Sequence, residues 1–209
     1  MSTELVVILL LAAIFLVGLV TARPGLRATP GGKLLVFAAL FVLPVASIRA
    51  GLSIHLEGSK DTSFCMSCHV MEPYGQSLLV SDESFLPAAH FQNRRVERDH
   101  ACFTCHTQYT MFGDMNAKLN GLKHLWVYYT GQTPERIELY SPYNNRECLH
   151  CHVGGRRFDE LHAHDMNELV GNEVSCMTCH GNAHDVHELD GAAMWLRDID
   201  TALEGGPIE

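Results

Sequence analysis

All eight cysteines of this 209-residue chain lie in one repeated pattern, Cys-X-X-Cys-His. The four copies span residues 65–69, 102–106, 148–152 and 176–180, so no cysteine remains for a disulfide. This pattern is typical of c-type haem attachment, in which two thiols form thioethers with the porphyrin and the adjoining histidine binds the iron. We therefore predict four covalently bound haem c groups. The predicted attachment residues are Cys65, Cys68, Cys102, Cys105, Cys148, Cys151, Cys176 and Cys179, and the predicted proximal ligands are His69, His106, His152 and His180.

A zinc knuckle or a redox dithiol is the alternative reading of a single Cys-X-X-Cys. Zinc sites pair two such elements and do not need a histidine after each one. Four copies that all end in histidine therefore favour haem over either alternative. Haem c is attached outside the cytoplasm. The four motifs therefore predict that this part of the chain lies outside the cytoplasm.

Nine further histidines are available for the second axial position of each iron, which sets its potential and reactivity. They are His55, His90, His100, His124, His150, His162, His164, His184 and His187. Met71 is a further candidate ligand, because a thioether raises the potential of a haem. It lies only two residues after His69, so it would replace that histidine rather than bind opposite it; simple packing is the other interpretation.

Two apolar stretches precede the motifs. Residues 5–20 contain no charged or polar side chain, and residues 34–48 contain only Ser47 and Pro44 as interruptions. With their flanks they predict membrane helices over about 5–22 and 34–50, although each is slightly short of the ~30 Å hydrocarbon core. A cleaved signal peptide is disfavoured for the first stretch, because the leading MSTE carries no positive charge.

Charge patterning predicts the orientation of this anchor. The connector at 23–33 (RPGLRATPGGK) holds three basic residues, so the positive-inside rule assigns it to the cytoplasm. The large carboxy-terminal part then lies on the periplasmic side of a bacterial inner (cytoplasmic) membrane. The chain has a formal net charge of -9, and this acidic balance argues against nucleic acid as a partner.

These elements predict a mainly α fold with long loops and little sheet. Residues 1–50 form the membrane anchor, as a single helix or a helical hairpin. Residues 51–190 form a compact periplasmic multihaem cytochrome c domain, and 191–209 form an acidic tail with a short helix around 192–203. About 40 residues per haem cannot build an ordinary apolar core, so the porphyrins must supply much of the buried surface.

Several segments resemble the NapC/NirT/NrfH family of membrane-anchored tetrahaem quinol dehydrogenases. Residues 64–71 (FCMSCHVM) are similar to the first haem site of that family, and 90–93 (HFQN) to its histidine before the second site. Residues 118–124 (KLNGLKH) resemble its lysine-containing helix near the quinol. Residues 162–176 and 180–184 (HGNAH) resemble its carboxy-terminal pattern. The resemblance covers about residues 35–187.

The resemblance implies roles for individual residues. Haem 1, on Cys65 and Cys68, would face the quinol, with Met71 as a candidate ligand. Lys118 is a candidate for binding quinol. Apart from the resemblance, the carboxylate of Asp114 is a candidate acceptor of a quinol proton, with an ordinary surface position as the other interpretation. His90, His164 and His184 are candidate distal ligands, with His162 competing with His164 and His187 with His184. His124 is a candidate ligand of haem 1 where many relatives place a carboxylate.

The resulting hypothesis is a membrane-anchored cytochrome that takes electrons from membrane quinol and relays them through four haems to a periplasmic acceptor. Its partners would be the membrane, quinol, and a periplasmic redox protein or other subunits of a membrane complex. The alternative is a relay subunit of a larger complex without its own quinol site, so an enzymatic quinol dehydrogenase activity stays open. A haem enzyme acting on a nitrogen or sulfur oxyanion is disfavoured. The many histidines outside the motifs suggest that each iron has two protein ligands and no open position for a substrate.

Overall fold

A computed structural model describes residues 3–134, 137, 143–181, 183, 184, 189, 191–196 and 199–203. Helices dominate these ranges, which confirms the mainly α fold class. Within them the single β pairing is an isolated bridge between Val80 and Met194. The chain forms two compact units, Met1–Ser59 and Lys60–Glu209. The division predicted from sequence, at residues 50 and 190, stays a prediction.

The first unit contains two helices long and apolar enough to cross a membrane. The first, α1, spans Thr3–Ala22. The second runs from Pro30 to Gly58 and consists of α3 (Pro30–Phe37), a π turn (Ala38–Val42) and α4 (Leu43–Gly58). It therefore extends beyond both predicted limits of 34 and 50. Ile14 and Phe15 are 67% and 69% exposed, as suits side chains that face lipid.

Local chemistry explains the shape of these helices. Pro44 has no N–H to donate and crowds the preceding turn, and beside it the Leu43 N–H bonds to the Ala38 carbonyl in a π turn. The connector predicted at 23–33 is not an open loop, because it contains the short helix α2 (Pro24–Ala28). Arg27 Nε donates to the Val20 carbonyl at 3.0 Å and so caps the end of α1.

The second unit consists of short helices joined by turns. Its helices are α5 (Thr62–Met66), α6 (Glu72–Gln76), α7 (Leu86–Gln92), α8 (Ala101–His106), α9 (Gly113–Tyr129), α10 (Asn145–His152), α11 (Arg156–His162), α12 (Met166–Val170), α13 (Cys176–Cys179) and α14 (Ile199–Leu203). Three-residue 3-10 turns cover His69–Met71, Ser77–Leu79 and Arg98–His100. Each of the four attachment motifs begins inside one of these helices, namely α5, α8, α10 and α13.

The apolar core of this unit is small and includes part of the carboxy-terminal segment. Its main cluster joins Leu79 and Phe91 to Ile199 and Ala202, and Trp195 packs against it. The Trp195 N–H donates to the Leu79 carbonyl at 2.7 Å. Described residues of the predicted acidic tail therefore pack onto the haem-motif unit. The helix predicted at 192–203 covers only Ile199–Leu203 in the described part.

Candidate functional site

The second and third motifs lie in helices whose geometry suits haem attachment. In α8 and α10 the two cysteines are three residues apart and the histidine follows the second cysteine. Side chains three and four residues apart share one helix face, so both thiols and the imidazole project to the same side. The residues between the cysteines, including Phe103 and His150, do not share this face.

The four motifs come together in pairs. The thiols of Cys65 and Cys102 are neighbours, and the Cys102 thiol lowers the pKa of Cys65 to about 7. In the same way Cys148 and Cys176 are neighbours, and burial together with this neighbour raises the pKa of Cys148 to about 12. The first cysteine of motif 1 therefore meets that of motif 2, and the first cysteine of motif 3 meets that of motif 4.

Three predicted proximal histidines each face another histidine. The ring centres are 5.9 Å apart for His152 and His90, and 6.0 Å apart for His106 and His184. His180 faces His162 at 6.4 Å. Two imidazoles that bind one metal at about 2 Å have ring centres roughly 6 Å apart, so these pairs fit the two axial positions of an iron.

Each of the three opposing histidines has its Nδ1 atom engaged by the chain. His90 Nδ1 and His162 Nδ1 donate to the carbonyls of the residues four positions earlier, at 2.8 and 3.0 Å. His184 Nδ1 donates at 2.6 Å to the hydroxyl of Ser77, which donates in turn to the Tyr74 carbonyl. Such bonds fix the tautomer and leave Nε2 as the free ligand atom.

Burial keeps several of these imidazoles neutral, which is the form that binds a metal. It lowers the pKa of His184 to about 4, and the charge of His106 adds to this effect. Burial also lowers the pKa values of His106 and His152. The donor set therefore fits haem iron. In contrast, nowhere in the described ranges do three His, Cys, Asp or Glu side chains gather around a point that could hold a bare metal ion.

The remaining predicted ligands are less closely grouped. His69 is exposed and Met71 is half-buried in the 3-10 turn that follows motif 1. His124 lies near motif 2, where its charge lowers the pKa of His106. His164 is exposed beyond the end of α11, whereas His162 faces His180. His187 lies outside the described residues.

The two predicted quinol-site residues share a region with Lys60 and Phe103. Asp114 Oδ2 lies 3.0 Å from Lys60 Nζ. The ammonium groups of Lys60 and Lys118 lie 5.2 and 4.7 Å from the centre of the Phe103 ring. A cavity of about 550 Å³ is lined by Lys60, Asp114, Phe103 and Thr107, among others. Thr107 is 6% exposed, and its hydroxyl has no hydrogen-bond partner among the described atoms.

Sequence reasoning missed Lys60, Ser77 and Phe103. In the sequence, Lys60 is an isolated charge after an apolar stretch, and the residues around Ser77 indicate an ordinary loop. Phe103 reads as a variable position between two cysteines. Their contacts depend on segments far apart in the chain, so no local pattern could have identified them.

Known proteins similar to this chain include c-type cytochromes. The chain is 24% identical to the cytochrome c-type protein NapC of Haemophilus influenzae, over 71% of this chain and 79% of that protein. It is 25% identical to the denitrification system component NirT of Stutzerimonas stutzeri, over 79% and 87%. It is 26% identical to the cytochrome c-type protein TorC of Escherichia coli K12, but over only 40% of that protein. No solved structure matches.

A family-level match covers most of the chain. Residues 30–191 match the N-terminal region of the NapC/NirT cytochrome c family. This range includes the second apolar helix and all four attachment motifs. Family membership implies covalently bound haem c, as the motifs predicted. The chain, with its paired histidines and its two apolar helices, therefore belongs to the NapC/NirT cytochrome c family.

Proposed function

We propose that this cytochrome oxidises a membrane quinol and passes the electrons through four haems c to a redox partner outside the membrane. The observation that carries the proposal is the grouping of Asp114, Lys60 and Lys118 around Phe103. Phe103 lies between Cys102 and Cys105, so the group adjoins a haem attachment motif. The Lys118 charge also lowers the pKa of Cys65 in motif 1, which indicates that the group lies near the first motif too.

The chemistry of this group suits a quinol. A quinol ring offers two hydroxyl groups, which donate to carboxylates and accept from ammonium or hydroxyl groups. Asp114 is positioned to accept a hydroxyl proton, while Lys60 orients the carboxylate at 3.0 Å. The buried Thr107 hydroxyl supplies an unused polar atom in the same cavity. The haems supply one-electron acceptance when bound, and the chain supplies position and charge.

The helix that carries Asp114 and Lys118 also suits approach from lipid. Met115, Leu119, Leu122 and Trp126 recur at intervals of four, three and four residues, so they form one face of α9. Each is more than half exposed. An exposed apolar face beside charged residues is typical of a helix that lies at a membrane surface, where a lipid-soluble quinol arrives.

We assign the axial ligands by the paired histidines. His106 with His184, His152 with His90, and His180 with His162 would each hold one iron. The choice of His162 over His164 rests on its ring distance to His180 and on its Nδ1 bond to the Phe158 carbonyl. Haem 1 takes its ligands from His69, Met71 and His124, as proposed from the sequence.

Location and partners follow from the anchor. We propose an inner-membrane protein with its haem unit on the periplasmic side, because the connector at 23–33 is basic. Lys60 follows Gly58, the last residue of α4, by two positions in the chain. The acceptor is a periplasmic redox protein or another subunit of a membrane complex.

A relay subunit without its own quinol site is the second candidate. A groove of about 700 Å³ in the first unit is lined mainly by apolar residues of α1 and of the second long helix, including Leu5, Leu9, Phe37 and Phe41. Such a groove suits packing against a helix of another subunit. Under this candidate the anchor assembles a complex and electrons reach the haems from a partner.

Quinol reduction of the purified full chain in detergent tests the proposal. A menaquinol or ubiquinol analogue should reduce the haems, and Asp114→Asn should slow this reduction about 100-fold, the typical contribution of general base catalysis. Lys60→Gln should slow it in the same direction. Glu160→Gln is the matched control, because Glu160 pairs with Arg156 at 3.8 Å on an exposed surface. Reduction by dithionite but never by quinol would reject the proposal in favour of the relay subunit.

A further inference from the structure

Two fully buried polar residues occupy the same position relative to two different attachment motifs. Thr62 lies three residues before Cys65 and is the first residue of α5. Asn145 lies three residues before Cys148 and is the first residue of α10. Thr62 is 0% exposed and Asn145 is 2% exposed. Burial of polar groups is costly unless they form hydrogen bonds. The hydrogen-bond partners of these two side chains therefore show which segments they connect.

Thr62 ties motif 1 to the start of motif 2. Its hydroxyl donates to the Arg98 carbonyl at 2.7 Å and accepts from the Ala101 N–H at 2.9 Å. Ala101 is the residue immediately before Cys102. Both partners come from a segment more than thirty residues away in the chain, so the contact is tertiary and not part of a local turn.

Asn145 ties motif 3 to the start of motif 4 in a comparable way. Its Oδ1 accepts from the Cys176 N–H at 2.8 Å, and its Nδ2 donates to the Leu169 and Val174 carbonyls. Its own N–H donates to Asn172 Oδ1 at 2.8 Å. One side chain thus connects the beginning of α10 with the segment that leads into α13.

The same two pairs of motifs are in contact through their cysteines. The thiol of Cys65 is a neighbour of that of Cys102, and the thiol of Cys148 is a neighbour of that of Cys176. We propose that Thr62 and Asn145 are equivalent positioning residues, each of which fixes two haem attachment motifs side by side and so sets the separation of two haems. Thr62 serves haems 1 and 2, and Asn145 serves haems 3 and 4. The inference rests on the proposed four-haem relay, whose rate depends steeply on these separations.

Soret-band circular dichroism of the full chain tests this proposal, because coupling between neighbouring haems depends on their distance and orientation. Thr62→Val keeps the shape of the side chain but removes the hydroxyl, whereas Thr62→Ser keeps the hydroxyl. With four haems attached, the Thr62→Val protein should lose the part of the Soret-band dichroism that comes from coupling between haems 1 and 2. The Thr62→Ser protein should retain that part. Asn145→Leu should remove the other share, and the double variant should show the sum of both losses.

Incomplete haem attachment gives a second readout by peptide mass spectrometry. If Thr62→Val impairs attachment, the loss should be confined to peptides with Cys65 and Cys102, and Asn145→Leu should affect those with Cys148 and Cys176. An unchanged dichroism signal in a fully loaded Thr62→Val protein would overturn the proposal. Loss spread evenly over all four motifs, or an equal effect of Thr62→Ser, would also overturn it. Neither readout involves quinol, so failure here is distinct from failure of the proposed quinol oxidation.

Discussion

Replacement of Ser77 by alanine should weaken the binding of one haem iron without touching a ligand. Ser77 is fully buried, and its hydroxyl oxygen lies 2.6 Å from His184 Nδ1. The same hydroxyl donates to the Tyr74 carbonyl, so its oxygen accepts from the imidazole. Removal of the hydroxyl leaves His184 Nδ1 without this partner, and the ring is then free to rotate away from the position opposite His106.

The size of the effect follows from the role of the bond. Loss of a partner that orients a metal-binding histidine costs about 10–100-fold in metal affinity. A proton competes with the iron for His184 Nε2, and each factor of ten in affinity corresponds to about one pH unit. Ser77→Ala should therefore raise the pH at which His184 leaves the iron by about 1–2 units.

Electron paramagnetic resonance across a pH titration measures this release as conversion of one haem from low spin to high spin. Ser59→Ala is the matched control, since its hydroxyl also donates to a carbonyl three residues earlier, at 2.9 Å, in the other unit. The reasoning is refuted if Ser77→Ala titrates like Ser59→Ala, or if more than one haem changes spin state.

Three further outcomes are expected. His162→Ala should convert one haem to high spin, whereas His164→Ala should leave the resonance spectrum unchanged; the reverse result would restore His164 as the ligand. Trp195→Ala should lower the free energy of unfolding by about 2 kcal/mol, because its half-buried ring packs on the core, and a thermal melt without a shift would contradict this. Burial lowers the pKa of His184 below its usual value of 6.5, and an iron on Nε2 would lower it further. The contribution of His184 to stability should therefore be complete above pH 6.5 and fall as the pH decreases below it, as thermal melts at several pH values would measure.

Sequence alone predicts the parts of the site that depend on local spacing. Cysteines three residues apart, followed directly by histidine, share one face of a helix, so the eight thiols and four proximal histidines are proposed for haem attachment without tertiary information. The apolar stretches at 5–20 and 34–48 likewise predicted the two long helices. The second helix is longer than predicted. Residues 51–58 continue it beyond the end of the apolar stretch, so hydropathy alone does not indicate where the helix ends.

Sequence could not decide features that depend on contacts between distant segments. His90 precedes motif 2 but faces His152 of motif 3, so order along the chain is no guide to pairing. His162 and His164 are equally good ligands by type. The proposal of His162 as the ligand rests on its position on the last turn of α11, with Nδ1 bonded to the Phe158 carbonyl. The register shared by Thr62 and Asn145 was visible as a spacing, but its meaning required their buried partners.

Near-infrared magnetic circular dichroism of the oxidised full chain tests the central claim most directly, because it identifies the axial ligands of each haem. The paired histidines predict three bis-histidine haems and a fourth whose ligands come from His69, Met71 and His124. A spectrum with fewer than three bis-histidine haems would contradict the assignment of His184, His90 and His162.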